Sequence, residues 1–200
     1  INFFRSQNDP IMRQFGLISL KSSIKNCWLE IPLEARVDLF RDLLDLLIHE
    51  TIWVNRFSLI ICIKESMTSE FDEILLSFIK QAFETNEDEF LEVALLLAQL
   101  IPSDEEKLEE YSSLIPFFTN MFIKGLESDQ PEVKLAGFYF LCYSKLFEEA
   151  HFFEQSPEHW ENIVGLFDFL VSDKQQFNRL IEYFNYCFQQ GIFTGDPSSL

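Results

Sequence analysis

Pro10-Ile-Met-Arg-Gln-Phe-Gly-Leu17 reappears in outline as Pro131-Glu-Val-Lys-Leu-Ala-Gly-Phe138, 121 residues further along the chain. Each stretch begins with proline, which is favoured in the first turn of a helix, and each carries a glycine six residues later. Two intermediate copies lie between them. Val54, Phe57, Ser58 and Leu59, then Phe90, Val93, Ala94 and Leu95, take the places of Met12, Phe15, Gly16 and Leu17.

The small residue of this pattern recurs at positions 16, 58, 94 and 137, in steps of 42, 36 and 43 residues. Such steps are near the period of HEAT and armadillo repeats, and each holds one helix pair. A small side chain lets neighbouring helices approach closely. The pattern therefore predicts an all-α fold, an α–α superhelix (HEAT/armadillo-like solenoid) of about four to five antiparallel helix pairs. The alternative is a chance similarity among amphipathic helices.

Prolines, capping residues and apolar spacing predict nine helices and no strand. They run from Pro10 through Lys25, from Pro32, from about Ile52 to Glu65, from Glu70 to Glu84, from Asp88 to Leu100, from the Ser103/Glu106 capping box to about Lys124, from Pro131, from Ser156 to near Val171, and from Ser172 to Gly191. Three details are specific. Met12, Phe15, Gly16, Ser19 and Ile24 should share one face, Pro116 should bend its helix, and Gly125 should cap it.

The repeat also predicts the domain organisation. Residues 1–200 should form a single solenoid segment, with 194–200 as a loop or frayed tail. The predicted ends are apolar where a capping repeat would be polar, at Ile1, Phe3, Phe4, Phe188, Ile192 and Phe193. We therefore expect a fragment of a longer solenoid.

The chain carries 33 acidic and 15 basic residues, a formal net charge of -18, which repels nucleic acid and anionic membranes. A basic protein partner suits it better. Two acidic clusters should lie at helix starts, where the helix dipole favours them; they could also bind Lys/Arg-rich ligands. They comprise Glu84, Glu87, Asp88 and Glu89, then Asp104, Glu105, Glu106, Glu109 and Glu110.

The residues that could carry chemistry form no constellation. Cys27, Cys62, Cys142 and Cys187 are widely spaced in apolar helical contexts, which predicts core thiols in a reducing compartment. His49, His151 and His159 match no metal spacing, and nucleotide-binding and nucleophile motifs are missing. The sequence has no membrane-length apolar run and no signal peptide. It thus predicts an intracellular protein that is not an enzyme and needs no cofactor, metal or small-molecule substrate.

One stretch resembles a known family. Asp9-Pro-Ile-Met-Arg-Gln-Phe15, with Leu20-Lys21, Trp28 and the segment from Arg36 to Glu50, is similar to the D-P-x-V-R-Q-x-A…L-K…W stretch near the N-terminus of importin-β (karyopherin-β) nuclear transport receptors. The specific similarity covers about 45 residues. Over nearly all of the remaining chain, only the spacing of the helix pairs is similar. The sequence departs from the family at Gly16, where alanine is usual, and it lacks the preceding first helix.

The resemblance implies a receptor in cytoplasm and nucleus that binds Ran-GTP, Phe-Gly nucleoporins and a cargo protein with a basic signal. It also implies that second helices line a concave face, so that protein contacts could come from Gln14, Lys21, Lys25, Arg56 and Lys64. The alternative is another HEAT-repeat scaffold or regulatory subunit, such as that of a phosphatase, a vesicle coat or an assembly platform. A compact helical domain, enzymes included, stays open as a third class.

Overall fold

The structure of this chain is a computed structural model, which describes residues 9–101 and 111–143. All regular secondary structure in these ranges is helical, which confirms the all-α prediction. The seven α-helices are α1 (Pro10–Cys27), α2 (Leu33–His49), α3 (Trp53–Ser66), α4 (Asp72–Glu84), α5 (Asp88–Ala98), α6 (Ile115–Glu127) and α7 (Pro131–Tyr143). Short 3-10 turns at Trp28–Glu30, Ser69–Phe71 and Ser112–Leu114 precede α2, α4 and α6.

The connections between these helices alternate in length. Residues 50–52, 85–87 and 128–130 form three-residue connections from α2 to α3, from α4 to α5 and from α6 to α7. The connections into α2 and α4 are longer, and each contains one of the 3-10 turns. In the described residues, α2 packs against α3 within the first unit, and α6 packs against α7 within the second. The recurring small residue lies on α1, α3, α5 and α7, and the last three of these helices each follow a three-residue connection.

The chain divides into two compact units, with the boundary between Thr85 and Asn86. In the first unit α3 packs against both α1 and α2. Phe71, in the 3-10 turn before α4, is fully buried between the ring of Phe40 at 4.7 Å and the ring of Trp28 at 5.8 Å. This aromatic cluster fixes the start of α4 against α2 and the turn after α1.

Helices α1 and α3 lie side by side and run in the same direction. Arg13 in the first turn of α1 contacts Glu50, just before α3, and the Cys62 thiol lies 3.9 Å from the carbonyl oxygen of Leu17. The two helices also match in burial when they are aligned 42 residues apart. Leu17 and Leu59 are both buried, as are Ile24 and Ser66.

In the second unit α5, α6 and α7 all pack against one another. Gly125 allows this close approach, since a Cβ there would lie 2.6 Å from Leu95 Cδ1, whereas a Cβ on Gly137 would be in ordinary contact, 3.8 Å from the backbone of Gly125. Asn86, before α5, has a φ of 56°, in the left-handed region that asparagine tolerates. Its side-chain oxygen accepts a hydrogen bond from Lys124 Nζ at 3.2 Å.

Most predicted helices in the described ranges appear within a few residues of their expected bounds. Asp9 caps α1, since its carboxylate accepts hydrogen bonds from the backbone N–H groups of Ile11 and Met12. Apolar residues at helical spacing along α2, α4 and α7, and in the turn before α4, face the core. Phe40, Leu44, Leu47, Phe71, Leu75, Ile79, Ala82, Val133, Ala136, Phe140 and Leu141 are all buried.

Several details were wrong. Met12 and Phe15 are exposed, because the side of α1 that contacts α3 is the one carrying Leu17 and Ile24. Pro116 lies in the first turn of α6, directly after the 3-10 turn Ser112–Leu114, and residues 102–110 of the helix predicted to bend there are outside the described residues. Gly125 is a buried residue inside α6, which continues to Glu127. Helix α5 ends at Ala98, and residues 99–100 form a turn.

Other predictions lie outside the described residues. These are Pro102 and the Ser103/Glu106 capping box, the second acidic cluster, the helices predicted from Ser156 to Gly191, the tail 194–200, the apolar ends, and Cys187, His151 and His159.

Candidate protein-binding surfaces of the first unit

A groove of about 460 Å³ lies between α2 and α4. Its floor is apolar: Leu44 is buried, and Ile74 and Phe78 are half-buried. Its rim is polar, with exposed side chains of Arg41, Glu73, Ser77 and Gln81. Apolar clefts with a few polar groups at the edge are the usual form of a binding site for a small ligand or a short peptide.

The groove follows from the spacing of residues on two helices. Ile74, Phe78 and Gln81 recur at intervals of four and three along α4, so they share one face. Arg41 and Leu44 are likewise three residues apart on α2. Arg36, one turn before this pair, contacts Glu70 at 3.3 Å, and that ion pair joins the start of α2 to the 3-10 turn before α4.

The groove is not evident from the sequence, where one apolar stripe at helical spacing runs along α4 and the turn before it, formed by Phe71, Ile74, Leu75, Phe78, Ile79 and Ala82. The signal that could have found the groove is the width of that stripe. Leu75, Ile79 and Ala82 are buried in the core, whereas Ile74 and Phe78, at the edge of the stripe, are only half-buried and line the groove.

The five residues predicted to contact a protein partner differ in how exposed their side chains are. Lys25 and Lys64 are exposed, and Gln14 and Lys21 are half-buried. Arg56 is buried, contrary to the prediction that it faces away from the core. Its Nε donates a hydrogen bond to the backbone oxygen of Glu50, which ties the first turn of α3 to the end of α2.

Glu50 is the centre of a buried polar cluster. It is 1% exposed, and its Oε2 lies 2.7 Å from Arg13 Nη2. Its Oε1 accepts a hydrogen bond from the backbone N–H of Ile52 at 3.0 Å. A single carboxylate thus joins α1 to the connection between α2 and α3. Because both of its oxygens and its backbone carbonyl have donors, the cluster positions helices and offers no open site.

The cysteine and histidine positions show no reactive arrangement among the described residues. Cys62 is buried as predicted, and burial raises the pKa of its thiol from 9.0 to about 11 while the Lys21 ammonium acts in the opposite direction. The thiol is therefore protonated and unreactive at neutral pH. Cys27 is exposed, contrary to the prediction of a core thiol. His49 ends α2, exposed, with its Nδ1 2.8 Å from the carbonyl oxygen of Asp45.

The first acidic cluster is exposed throughout, and only part of it lies at a helix start. Asp88 and Glu89 are in the first turn of α5 with Glu87 just before them, whereas Glu84 is the last residue of α4. Asp88 also accepts a hydrogen bond from Ser128 Oγ at 3.1 Å. Favourable helix-dipole placement therefore accounts for three of the four.

The described residues show neither a metal site nor a membrane-spanning helix. They contain no group of three or more His, Cys, Asp and Glu side chains placed to hold a metal ion. Nor does any helix in the described ranges have both the length and the apolar character to cross a membrane.

Comparisons of this chain with protein-family models, with curated proteins and with solved structures find no match.

Proposed function

We propose that this chain is a segment of a HEAT-repeat nuclear transport receptor and binds proteins through both of its helix layers. The observation that carries the proposal is the register of α1 against α3. Two helices 42 residues apart in sequence run side by side in one direction and bury equivalent positions, Leu17 with Leu59. That arrangement is typical of second helices in consecutive repeats.

The alternating connections support the same proposal. The three-residue connections from α2 to α3 and from α6 to α7 each join two helices that pack together, as expected for the helix pairs of a repeat. A pair cannot bury both of its apolar faces alone, so stacking on a neighbour completes the core. Continued along the chain, this stacking gives a solenoid with one layer of first helices and one layer of second helices.

The groove between α2 and α4 supports the binding of Phe-Gly nucleoporins. An aromatic side chain can enter between Leu44, Ile74 and Phe78, while Ser77 and Gln81 can hydrogen-bond the peptide backbone beside it. A short peptide with a flexible glycine after the phenylalanine could follow such a shallow groove. The resemblance of residues 9–50 to importin-β is the second support, and it adds Ran-GTP and a cargo with a basic signal.

A Phe-Gly repeat peptide tests the groove. The exposed residue Ser77 lines it, so Ser77→Arg should obstruct the groove without disturbing the core, and we expect the peptide affinity to fall about tenfold or more. Ser69→Arg, also exposed but outside the groove, is the matched control. Fluorescence anisotropy with a labelled peptide gives both affinities, and circular dichroism checks the helix content.

Ran-GTP tests the transport role itself. We expect the parent protein to bind Ran loaded with GTP more tightly than Ran loaded with GDP. Equal weak binding of both forms, together with no affinity for Phe-Gly peptides, would exclude a transport receptor. The chain would then be a HEAT-repeat scaffold or regulatory subunit of another kind, with a protein partner that does not depend on nucleotide.

A further inference from the structure

Charge is divided unevenly among the helices of the first unit. Helices α2 and α4, which form the groove, contain four and three acidic residues against two and one basic ones. Helices α1 and α3 contain none and one acidic residue against three and two basic ones. The acidic residues of these four helices therefore lie mainly on the two that line the groove, where they attract a cationic ligand.

Glu73 brings part of this charge into the groove itself. Its side chain is exposed on the rim, in the first turn of α4, and has no ion-pair partner among the described residues. The residue before it, Asp72, is also acidic, and the first basic residue after it on the helix is Lys80, about two turns away. A ligand in the groove therefore meets a carboxylate that its own helix does not neutralise.

Arg41, the basic residue that lines the rim, is in a different environment. Three aspartates of α2 are close to it in sequence: Asp38 three residues before, Asp42 next to it and Asp45 four residues after. Residues three and four apart are neighbours on a helix surface, so Asp38 and Asp45 lie one turn to either side of Arg41. Carboxylates of its own helix thus offset the charge of Arg41, and that of Glu73 is left to select the ligand.

The length of the groove limits how far a basic residue of the ligand can lie from the aromatic one. Glu73 is the first groove-lining residue of α4 and Gln81 the last, and eight residues of helix span about 12 Å. An extended peptide covers that distance with about four residues. A basic side chain within about two positions of the phenylalanine can therefore reach Glu73 while the aromatic ring contacts Ile74 and Phe78.

We propose that the α2–α4 groove selects peptides in which a lysine or arginine lies beside the phenylalanine, and that Glu73 is the residue that selects them. This inference rests on the proposed function of the groove and adds the charge of its ligand. The cationic group of the peptide pairs with the Glu73 carboxylate, whereas an acidic group at the same place is repelled by Glu73 and by the acidic helices around it. Phe-Gly segments with acidic neighbours are then the weaker ligands.

Three labelled peptides test the inference on the full 200-residue chain. Each contains one Phe-Gly pair, and the residues on either side of that pair are lysines in the first peptide, glutamates in the second and serines in the third. In fluorescence anisotropy we expect the lysine peptide to bind at least about fivefold more tightly than the glutamate peptide. Salt should reduce this preference, because Glu73 is exposed to solvent. Equal affinities, or tighter binding of the glutamate peptide, would overturn the inference.

Single variants locate the selection, read out as the ratio of the lysine-peptide affinity to the glutamate-peptide affinity. Glu73→Gln should lower this ratio severalfold, and Arg41→Gln should raise it, since it removes the opposing charge. Glu34→Gln neutralises an exposed glutamate of α2 that does not line the groove, and as the matched control it should change the ratio less than about twofold. An equal fall of the ratio in the Glu73 and Glu34 variants would reject the role of Glu73.

The serine peptide separates this inference from the proposed function of the groove. If no peptide binds, or if Ser77→Arg leaves the affinity of the serine peptide unchanged, the groove is not a Phe-Gly site and both proposals fail. If the serine peptide binds and Ser77→Arg weakens it, while the lysine and glutamate peptides bind equally, only the inference about charge fails.

Discussion

At the scale of single residues, Glu50 links three parts of the first unit: α1, the start of α3 and the connection that precedes it. Its carboxylate is buried between Arg13 and the backbone N–H of Ile52, and its backbone oxygen accepts from Arg56. The Nε of Arg13 and the Nδ2 of Asn55 are also buried, without an acceptor in the described residues. Hydrogen-bond donors therefore outnumber acceptors in this cluster, and the Glu50 carboxylate interacts with more than one of them.

We expect Glu50→Ala to lower the free energy of unfolding by about 3–5 kcal/mol, because it leaves the Arg13 guanidinium partly buried without a counter-ion. Glu50→Gln keeps an acceptor for the Ile52 N–H, so its loss should be smaller. Urea unfolding followed by circular dichroism measures both.

Glu34→Ala, an exposed glutamate in the first turn of α2, is the control and should change stability by about 0.5 kcal/mol or less. If Glu50→Ala costs no more than this control, the cluster does not hold α1 to α3.

At the scale of helices, the two glycines of the second unit differ in what surrounds them. A Cβ on Gly125 would meet Leu95 Cδ1 at 2.6 Å, well inside contact distance, whereas a Cβ on Gly137 would meet its nearest atom, Leu126 Cδ2, at 3.7 Å. Both positions are helical and buried. Comparing an alanine substitution at Gly125 with one at Gly137 therefore separates the cost of steric overlap from the gain in helix propensity.

Gly125→Ala should lower the free energy of unfolding by about 1–3 kcal/mol, since the fully buried Leu95 has little room to move. Gly137→Ala should be neutral or stabilising by up to about 1 kcal/mol, because alanine favours the helix and nothing obstructs it. Thermal unfolding of the two single variants gives the comparison.

Leu95→Ala combined with Gly125→Ala provides the control. The combination should cost less than the two single changes added together, since the smaller side chain removes the overlap. Strictly additive costs would mean that the Leu95 contact is not the cause.

Much of this helical architecture could be predicted from prolines and apolar spacing. Pro10 and Pro131 lie at the first positions of α1 and α7, and Pro32 caps α2. The buried side of α1 could not be predicted, since that helix has apolar residues almost all round and contact with α3 decides which are covered. The α2–α4 groove was missed for a similar reason: each helix supplies half of it, and only their packing brings Leu44 to Phe78. Glu50 was named only as part of a family resemblance, because pairing with Arg13 depends on how the helices pack.

At the scale of the whole molecule, charge is the dominant property. A net charge of -18 on 200 residues sets many carboxylates close to one another, and their mutual repulsion is relieved when the chain unfolds. Buried pairs such as Arg13 with Glu50 are shielded from salt far more than exposed charges are.

We therefore expect salt to stabilise the protein. Raising sodium chloride from about 20 mM to about 300 mM shortens the screening length to less than 10 Å and should raise the free energy of unfolding by up to about 1 kcal/mol. Choline chloride at the same ionic strength should act equally, because the effect is screening and not sodium binding. A loss of stability with salt would show that exposed ion pairs outweigh the repulsion.

The alternating connections also set the entropy of assembling the first unit. Packing α2 against α3 closes only the three-residue connection between them. The contact of Leu17 with Cys62, in contrast, closes a loop of 45 residues. Because closure entropy grows with the logarithm of loop length, the longer closure costs only about 2 kcal/mol more. Burying Leu17 and Leu59, at about 1.5–3 kcal/mol each, is enough to offset that difference. Side-by-side packing of two parallel helices so far apart in sequence thus carries only a modest entropic cost.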